Sequence, residues 1–470
     1  MKLGYQYHNI SQTNSAKLQD YSALIIEYVN LLANDPFITQ EEISLKLVLS
    51  KDELIKLNTI IRNDDILQDS ITNDGIGSKY WVNTVNPLFA TGKLQAAINK
   101  IHTYPERIGL YTGISCMFYC NFCGRNYNEK YDKSYTEYSL DMFKRIIDND
   151  PKDDTNWRNR FRISGGVEPL TNQLTAEIIS YGAERGFNMQ LYTNGFLLSN
   201  TYIDKNPGIL DLAMIRFSIY GTDNKTTHNV TKNAKAYTTV LKNIKHLLTR
   251  IDLKPATNVG LNYILLPGKI NEIFGVLDYI REINKNSNRS IDFITIREDH
   301  SQDLISISHE ERLRLVEMLQ QVDEVTKSDP LLKHVHFDYG YALDSLRHNK
   351  VTGPLKMVRF DEMIVEGFPQ VCLSVDVKSD VYLYHESGFI GRPGAERYVI
   401  GNVDSKSLNS VCDEWVSSGK KIKSLPGDTG YLDAFDHVTS ILINQYRNNQ
   451  KFGISLSDGP TRIGNDNKSS

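Results

Sequence analysis

Apolar residues in "YSALIIEYVNLLAND" (21–35) recur at helical spacing, and two short helices are predicted to follow. "TQEE" (39–42) and "SKDE" (50–53) each fit the capping box, and Leu54, Leu57 and Ile61 line one face of the second helix. From about residue 105 the texture changes to short β-like runs alternating with helical patterns. "RIGLYTGIS" leads to a helix near "SLDMFKRIIDND", and "RFRISGG" to one near "TAEIISYGAERG". "NMQLYTN", "LAMIRFSIYG", "VGLNYILL" and "IDFITIRED" follow, with amphipathic segments between them and "HEERLRLVEMLQQVDEVTK" after the last. Six strand–helix units predict an α/β fold with a parallel sheet and helices outside it, an open (β/α)6 partial barrel rather than a complete eight-stranded one. Chemistry in such a sheet belongs at the C-terminal ends of the strands.

After about residue 335 the pattern changes again. "PQVCLSVDVKSDVYLYHESG" reads as a hairpin about a Lys-Ser-Asp turn, followed by two helical segments. The expected division is an N-terminal helical domain (1–100), the partial barrel (101–335), a C-terminal α+β extension shaping the substrate site (336–450), and a polar tail (451–470).

Composition narrows the classes. A net charge of −4 with both signs mixed along 470 residues gives no basic field for nucleic acid or an anionic membrane. The two tandem N-terminal helices invite a helix-turn-helix reading. Residues 1–95, however, carry eight Lys/Arg against eleven Asp/Glu, so a packing role is favoured over phosphate binding. The first residues lack an apolar signal core, and no stretch is apolar enough to span a bilayer. Five cysteines, an odd number, make no disulfide framework, and a cytoplasmic location is expected.

Three of those five, Cys116, Cys120 and Cys123, stand as C-x3-C-x2-C just after the first predicted strand. Structural zinc takes four ligands and ordinary iron–sulfur clusters four thiolates. Three thiolates on a four-iron cluster leave one iron open to a substrate. Three adjacent buried cysteines, or zinc completed by a distant ligand, are the alternatives.

"CMFYCNFC" resembles the signature of radical S-adenosylmethionine (SAM) enzymes. That resemblance implies one [4Fe–4S] cluster on the three cysteines, SAM on the open iron, Phe122 near the adenine, and an electron donor such as flavodoxin or ferredoxin. "SGGVEP" (164–169) ends the second strand, with Gly165 and Gly166 exposing backbone and Glu168 offering a carboxylate for an ammonium. It resembles the family's GGEP motif with Val167 inserted, which implies contact with the SAM amino group. "YTNG" and "RFSIYG" end the next two strands. Tyr192 and Asn194 are candidate SAM contacts. Arg216, Ser218 and Tyr220 alternate onto one face, with Arg216 a partner for the SAM carboxylate and Ser218 implied at the ribose.

Longer stretches, among them "SGGVEPLTN", "IRFSIYG", "NYILLPGK", "IDFITIRED", "FDYGYALDSLR", "DVYLYHESGF" and "RYVIG", resemble the narrower group of dTDP-4-amino-4,6-dideoxyglucose ammonia-lyases over about residues 75–440. That implies a nucleotide-sugar substrate, hydrogen abstraction from C3, loss of the C4 amine and a 3-keto product. A base is needed for the C3 hydroxyl, and Glu298, Asp299 and Glu386 are the candidates. Arg297 or Arg397 could bind the diphosphate, and Tyr382, Tyr384 and Glu386 are expected to share one face of the hairpin as substrate contacts. Cys372 and Cys412 are too few for an auxiliary cluster. A radical SAM dehydrogenase or epimerase of a sugar nucleotide is the main alternative. A peptide-modifying radical SAM enzyme and a cluster-sensing regulator are the others.

Overall fold

The computed structural model describes residues 40–62, 91–120, 122–125, 129–266, 268–285, 287–298, 309–339, 364–365, 367–384, 388–392, 394–420 and 422–423, with single positions at 24, 27, 28, 31, 88 and 343. The six predicted strands are present as β1 (Arg107–Tyr111), β2 (Phe161–Ile163), β3 (Gln190–Thr193), β4 (Met214–Ile219), β5 (Asn258–Leu265) and β6 (Phe293–Glu298). Each pairs in parallel with the next, and a further parallel strand, β7 (His336–Tyr339), extends the row beyond β6.

Alternation along β4 shows how the layers form. Ile215, Phe217 and Ile219 are buried against helices, while Met214, Arg216 and Ser218 are half-buried on the opposite, concave face. The helices supply the matching apolar stripes: Met142, Phe143, Ile146 and Ile147 from Tyr135–Asp148, and Ile244, Leu247 and Leu248 from Ala236–Thr249. Burying each such side chain contributes roughly 1.5–3 kcal/mol. Ends are set locally: Asp223 accepts from Thr226 N at 2.7 Å in a capping box, and Ser199 accepts from Tyr202 N at 3.2 Å.

The predicted hairpin forms, but not as a sheet of its own. β8 (Ile364–Val365) and β12 (Ile422–Lys423) make a separate antiparallel pair. β9 (Cys372–Asp376) runs parallel to β1, with Tyr111 opposite Asp376; β10 (Asp380–Leu383) and β11 (Val399–Asn402) continue antiparallel beyond it. The ten-stranded order is therefore β11-β10-β9-β1-β2-β3-β4-β5-β6-β7. The hairpin is an extension of the barrel sheet, so its C-terminal strand end at Asp376 lies on the same rim as that of β1. Sequence alternation cannot reveal this, because pairing between residues 107 and 372 is a long-range choice.

At the opposite, N-terminal rim a buried ionic cluster closes the floor. Arg160 meets Asp150 at 2.6 Å and also Asp154, and its guanidinium lies 4.9 Å from the Tyr104 ring centre. Lys93 bonds Asp154 and lies 3.5 Å from Glu106. Buried charges persist only when paired in this way.

Candidate active site

The cysteine loop leaves β1 at Tyr111 and is stitched to the end of β2. Thr171 Oγ1 accepts from the backbone N–H of Ile114 (3.1 Å) and Ser115 (3.2 Å), and Glu168 N donates to Ser115 O at 3.0 Å. Cys123 N donates to Cys120 O at 2.9 Å, Tyr119 N to Thr231 O at 2.9 Å, and Arg125 Nη2 to Phe118 O at 2.5 Å. All three loop cysteines are thiols rather than halves of a disulfide; Cys120 is buried and the other two are half-buried. Burial, followed by the charge of Glu168, pushes the Cys116 thiol up to about 11. Cys120 is raised by burial and then by Cys123 and Cys116, which places the three sulfurs in one another's field.

Among the described residues no three His, Cys, Asp or Glu side chains converge on one ion-sized position. A four-iron cluster does not ask for that, since each thiolate binds a different iron. Three thiols on one tight loop, the neighbouring carboxyl already engaged elsewhere, are a donor set that fits a [4Fe–4S] cluster with one open iron.

The remaining predicted motifs meet this loop. Glu168 is buried, and its carboxylate accepts from Thr193 Oγ1 (2.5 Å), Leu170 N (3.2 Å) and Asn194 N (2.8 Å). Burial nevertheless raises its carboxyl to about 7. Three acceptor positions are used, leaving room on Oε2 for one more donor. Gly165 and Gly166 both have φ above +60°, and the Tyr111 ring lies where a side chain on Gly165 would start. Asn194 Nδ2 points at Met117 Sδ (3.2 Å) and Cys116 Sγ (3.8 Å). Phe122 stacks on Tyr220 at 6.0 Å between ring centres, and Phe118 meets Tyr220 edge-on at 5.7 Å. The Tyr220 phenol is raised by burial and then by Cys120, Cys116 and Glu168, with Ser218 acting in the opposite direction. Tyr192 and Arg216 lie side by side in register, with the guanidinium 5.2 Å from the Tyr192 ring centre.

The substrate candidates are less gathered. Arg297 is half-buried on the concave face, since its strand neighbours Ile294 and Ile296 fill the outer core. Glu298 ends β6, whereas Asp299 and Glu386 lie outside the described residues. Tyr382 donates to Asp376 Oδ2 at 3.3 Å. Tyr384 does not share its face by alternation: β10 stops at Leu383, Tyr384 takes φ +70°, and its buried ring packs edge-on against Tyr398 at 6.0 Å. Arg397 lies in the 3-10 turn before β11, its guanidinium 5.9 Å from the Tyr398 ring centre. The segment around 388–392 rests on the rim: Gly388 approaches Tyr111, and Arg392 covers Gly124 of the cysteine loop.

Sequence reasoning did not single out Thr171, Thr193, Arg125 or Arg162. The first two lie inside the quoted stretches "EPLTN" and "YTNG", where a threonine reads as filler until its hydroxyl is seen bridging two strand ends.

The radical SAM superfamily description matches residues 110–280, the span from β1 through the helix after β5. The chain is also 34% identical over 417 residues to dTDP-4-amino-4,6-dideoxy-D-glucose ammonia-lyase of Streptomyces venezuelae, covering 88% of this chain and 84% of that one. The chain belongs to the radical SAM superfamily. Among solved structures, SuiB of Streptococcus suis bound to its precursor peptide SuiA aligns with a TM-score of 0.45 at 15% identity, over 79% of this chain and 78% of SuiB. Native anSMEcpe with bound AdoMet and the Kp18Cys peptide aligns with a TM-score of 0.40 at 13% identity, over 73% of this chain and 99% of that one. Likenesses this distant carry no argument about substrate. No helix among the described residues is long and apolar enough to cross a membrane. In this radical SAM enzyme the site is assembled from the ends of β1 to β4, where a parallel sheet presents its functional rim.

Proposed function

We propose that this enzyme is an ammonia-lyase acting on a nucleotide-linked 4-amino-6-deoxyhexose, giving a 3-keto sugar. The observation that carries the reading is the relation, along most of both chains, to an ammonia-lyase of that substrate class. Cys116, Cys120 and Cys123 would hold the [4Fe–4S] cluster, and the cluster with SAM supplies the hydrogen-abstracting chemistry when bound. The remaining work falls to the chain. Glu168 offers its free acceptor position to the SAM ammonium, held in place by Thr193 and Asn194 N. Asn194, Ser218 and Arg216 line the same rim, and the Phe122–Tyr220 stack offers a flat apolar surface for a purine. The segment 388–392, resting on Tyr111 and Gly124, narrows the approach and keeps water out, which radical chemistry requires. Glu298, Asp299 and Glu386 remain the candidates for the base that takes the C3 hydroxyl proton, and a flavodoxin or ferredoxin the candidate electron source.

The test is anaerobic turnover with reconstituted cluster, SAM, a reductant and dTDP-4-amino-4,6-dideoxyglucose. The expected result is 5′-deoxyadenosine formation that depends on the sugar, with ammonia released in proportion to the keto sugar. Deoxyadenosine with the nitrogen retained in the product would replace the lyase by a dehydrogenase. Absence of SAM cleavage from a fully loaded cluster would refute the reading.

A further inference from the structure

Below the rim, the concave face of the sheet carries a group of arginines with no acidic partners among the described residues. Arg162 stands in β2 between Phe161 and Ile163, both fully buried in the outer core, so its side chain takes the opposite, concave side. In register it lies between Gly109 of β1 and Gln190 of β3. Two residues further along the strands, Arg216 is held between aromatic rings, 5.2 Å from the Tyr192 centre and 5.0 Å from the Phe293 centre. The Nε atoms of Arg162, Arg216 and Arg297 are shut away from solvent without a hydrogen-bond partner among the described residues. Burial pushes Arg162 below the ordinary guanidinium range; the charges of Arg107 and Arg216 act in the same direction, against Tyr192 and Cys372. Folding has thus brought like charges together on a desolvated face, an arrangement that favours an anion.

The geometry points to Arg162 as a phosphate-binding residue of the barrel interior, taking the diphosphate of a nucleotide-linked substrate whose sugar reaches up to the cysteine rim. This rests on the nucleotide-sugar reading above. The SAM carboxylate is the competing anion. Arg162 stands two register positions below Arg216, so Arg216 is the nearer cation for a carboxylate at the rim and Arg162 the deeper one.

The experiment uses cluster-loaded enzyme under anaerobic conditions, as wild type, Arg162→Met and Arg162→Lys. Binding of thymidine diphosphate, inorganic pyrophosphate, thymidine and SAM is measured by calorimetry, and ligand-free melting temperature is recorded in parallel. Arg162→Met should weaken thymidine diphosphate and pyrophosphate by about 10- to 100-fold, the size expected for losing a charge-assisted hydrogen bond. Arg162→Lys should recover part of that loss, while SAM and thymidine bind as before. Because the half-buried guanidinium has no acidic partner among the described residues, Arg162→Met should melt at or above the wild-type temperature; a structural arginine would lower it.

Unchanged thymidine diphosphate affinity in Arg162→Met would overturn the phosphate site while leaving the lyase reading in place. An equal loss of SAM affinity, or a lower melting temperature with no selective loss of phosphate ligands, would overturn it as well. If pyrophosphate binds through Arg162 but thymidine diphosphate binds no better and no nucleotide sugar is turned over, the phosphate site stands and the nucleotide-sugar reading falls.

Discussion

Replacing Gly165 by alanine tests the geometry of the SAM rim most directly. Gly165 has φ +67°, where an L-residue costs about 1–2 kcal/mol. The added methyl would stand 2.1 Å from Tyr111 Cζ and 2.4 Å from its hydroxyl oxygen, an overlap that requires the ring to move. Tyr111 is buried, and overpacking of this kind costs about 1–3 kcal/mol. The sum is a loss of about 2–5 kcal/mol. Gly166→Ala is the internal control. Its φ is +63°, but the nearest atom to its added methyl is Tyr111 Cδ2 at 3.3 Å, so only the backbone cost of about 1–2 kcal/mol applies. The assay is urea unfolding followed by far-UV circular dichroism on both variants, Tyr111→Ala, and Gly165→Ala with Tyr111→Ala. Removing the ring should return the steric part, seen as a coupling of about 1–3 kcal/mol in the double-mutant cycle, and leave the backbone part. Equal costs for the two glycines, or a coupling near zero, would refute the account of why the motif carries two glycines against this tyrosine.

Two further outcomes are expected. Cys120→Ala should leave the far-UV spectrum of the iron-free protein unchanged and abolish assembly of a four-iron cluster, read as iron and sulfide per chain; a full complement of iron would remove Cys120 from the ligand set. SAM affinity should depend on pH through Glu168, whose carboxyl is raised by burial to about 7 in the empty protein. Pairing with an ammonium needs the carboxylate, so affinity should be full above pH 7 and fall about tenfold for each pH unit below it. Glu168→Gln should weaken binding and flatten this profile, and a wild-type affinity constant between pH 5.5 and 8 would refute the pairing.

Much of the fold was legible because period-2 and period-3.6 patterns alternate cleanly through residues 105–335, and parallel sheets in such chains follow the order of the strands. The cysteine loop and "GGVEP" stand out for a different reason: their chemistry is local, carried by thiols within one loop and by glycines at a positive φ that side chains adopt only at a cost. Tyr384 shows where local reasoning fails. Alternation put it on the face of Tyr382, but a positive φ ends the strand between them, and nothing in "VYLYHE" announces it.

Residue types and short spacings therefore sufficed to give the class of sheet and to nominate the cluster ligands and the SAM motif, since each depends on neighbours a few positions away. The tertiary structure alone decided that β9 joins β1, that Thr171 and Thr193 tie strand ends across more than twenty residues, and that Arg162 and Arg216 share a concave face without acidic partners among the described residues. An arginine in a strand reads the same whether it meets solvent, a carboxylate or an empty interior. Which of these it meets depends on strands that are distant in the chain, because sheet register sets each side chain's neighbours.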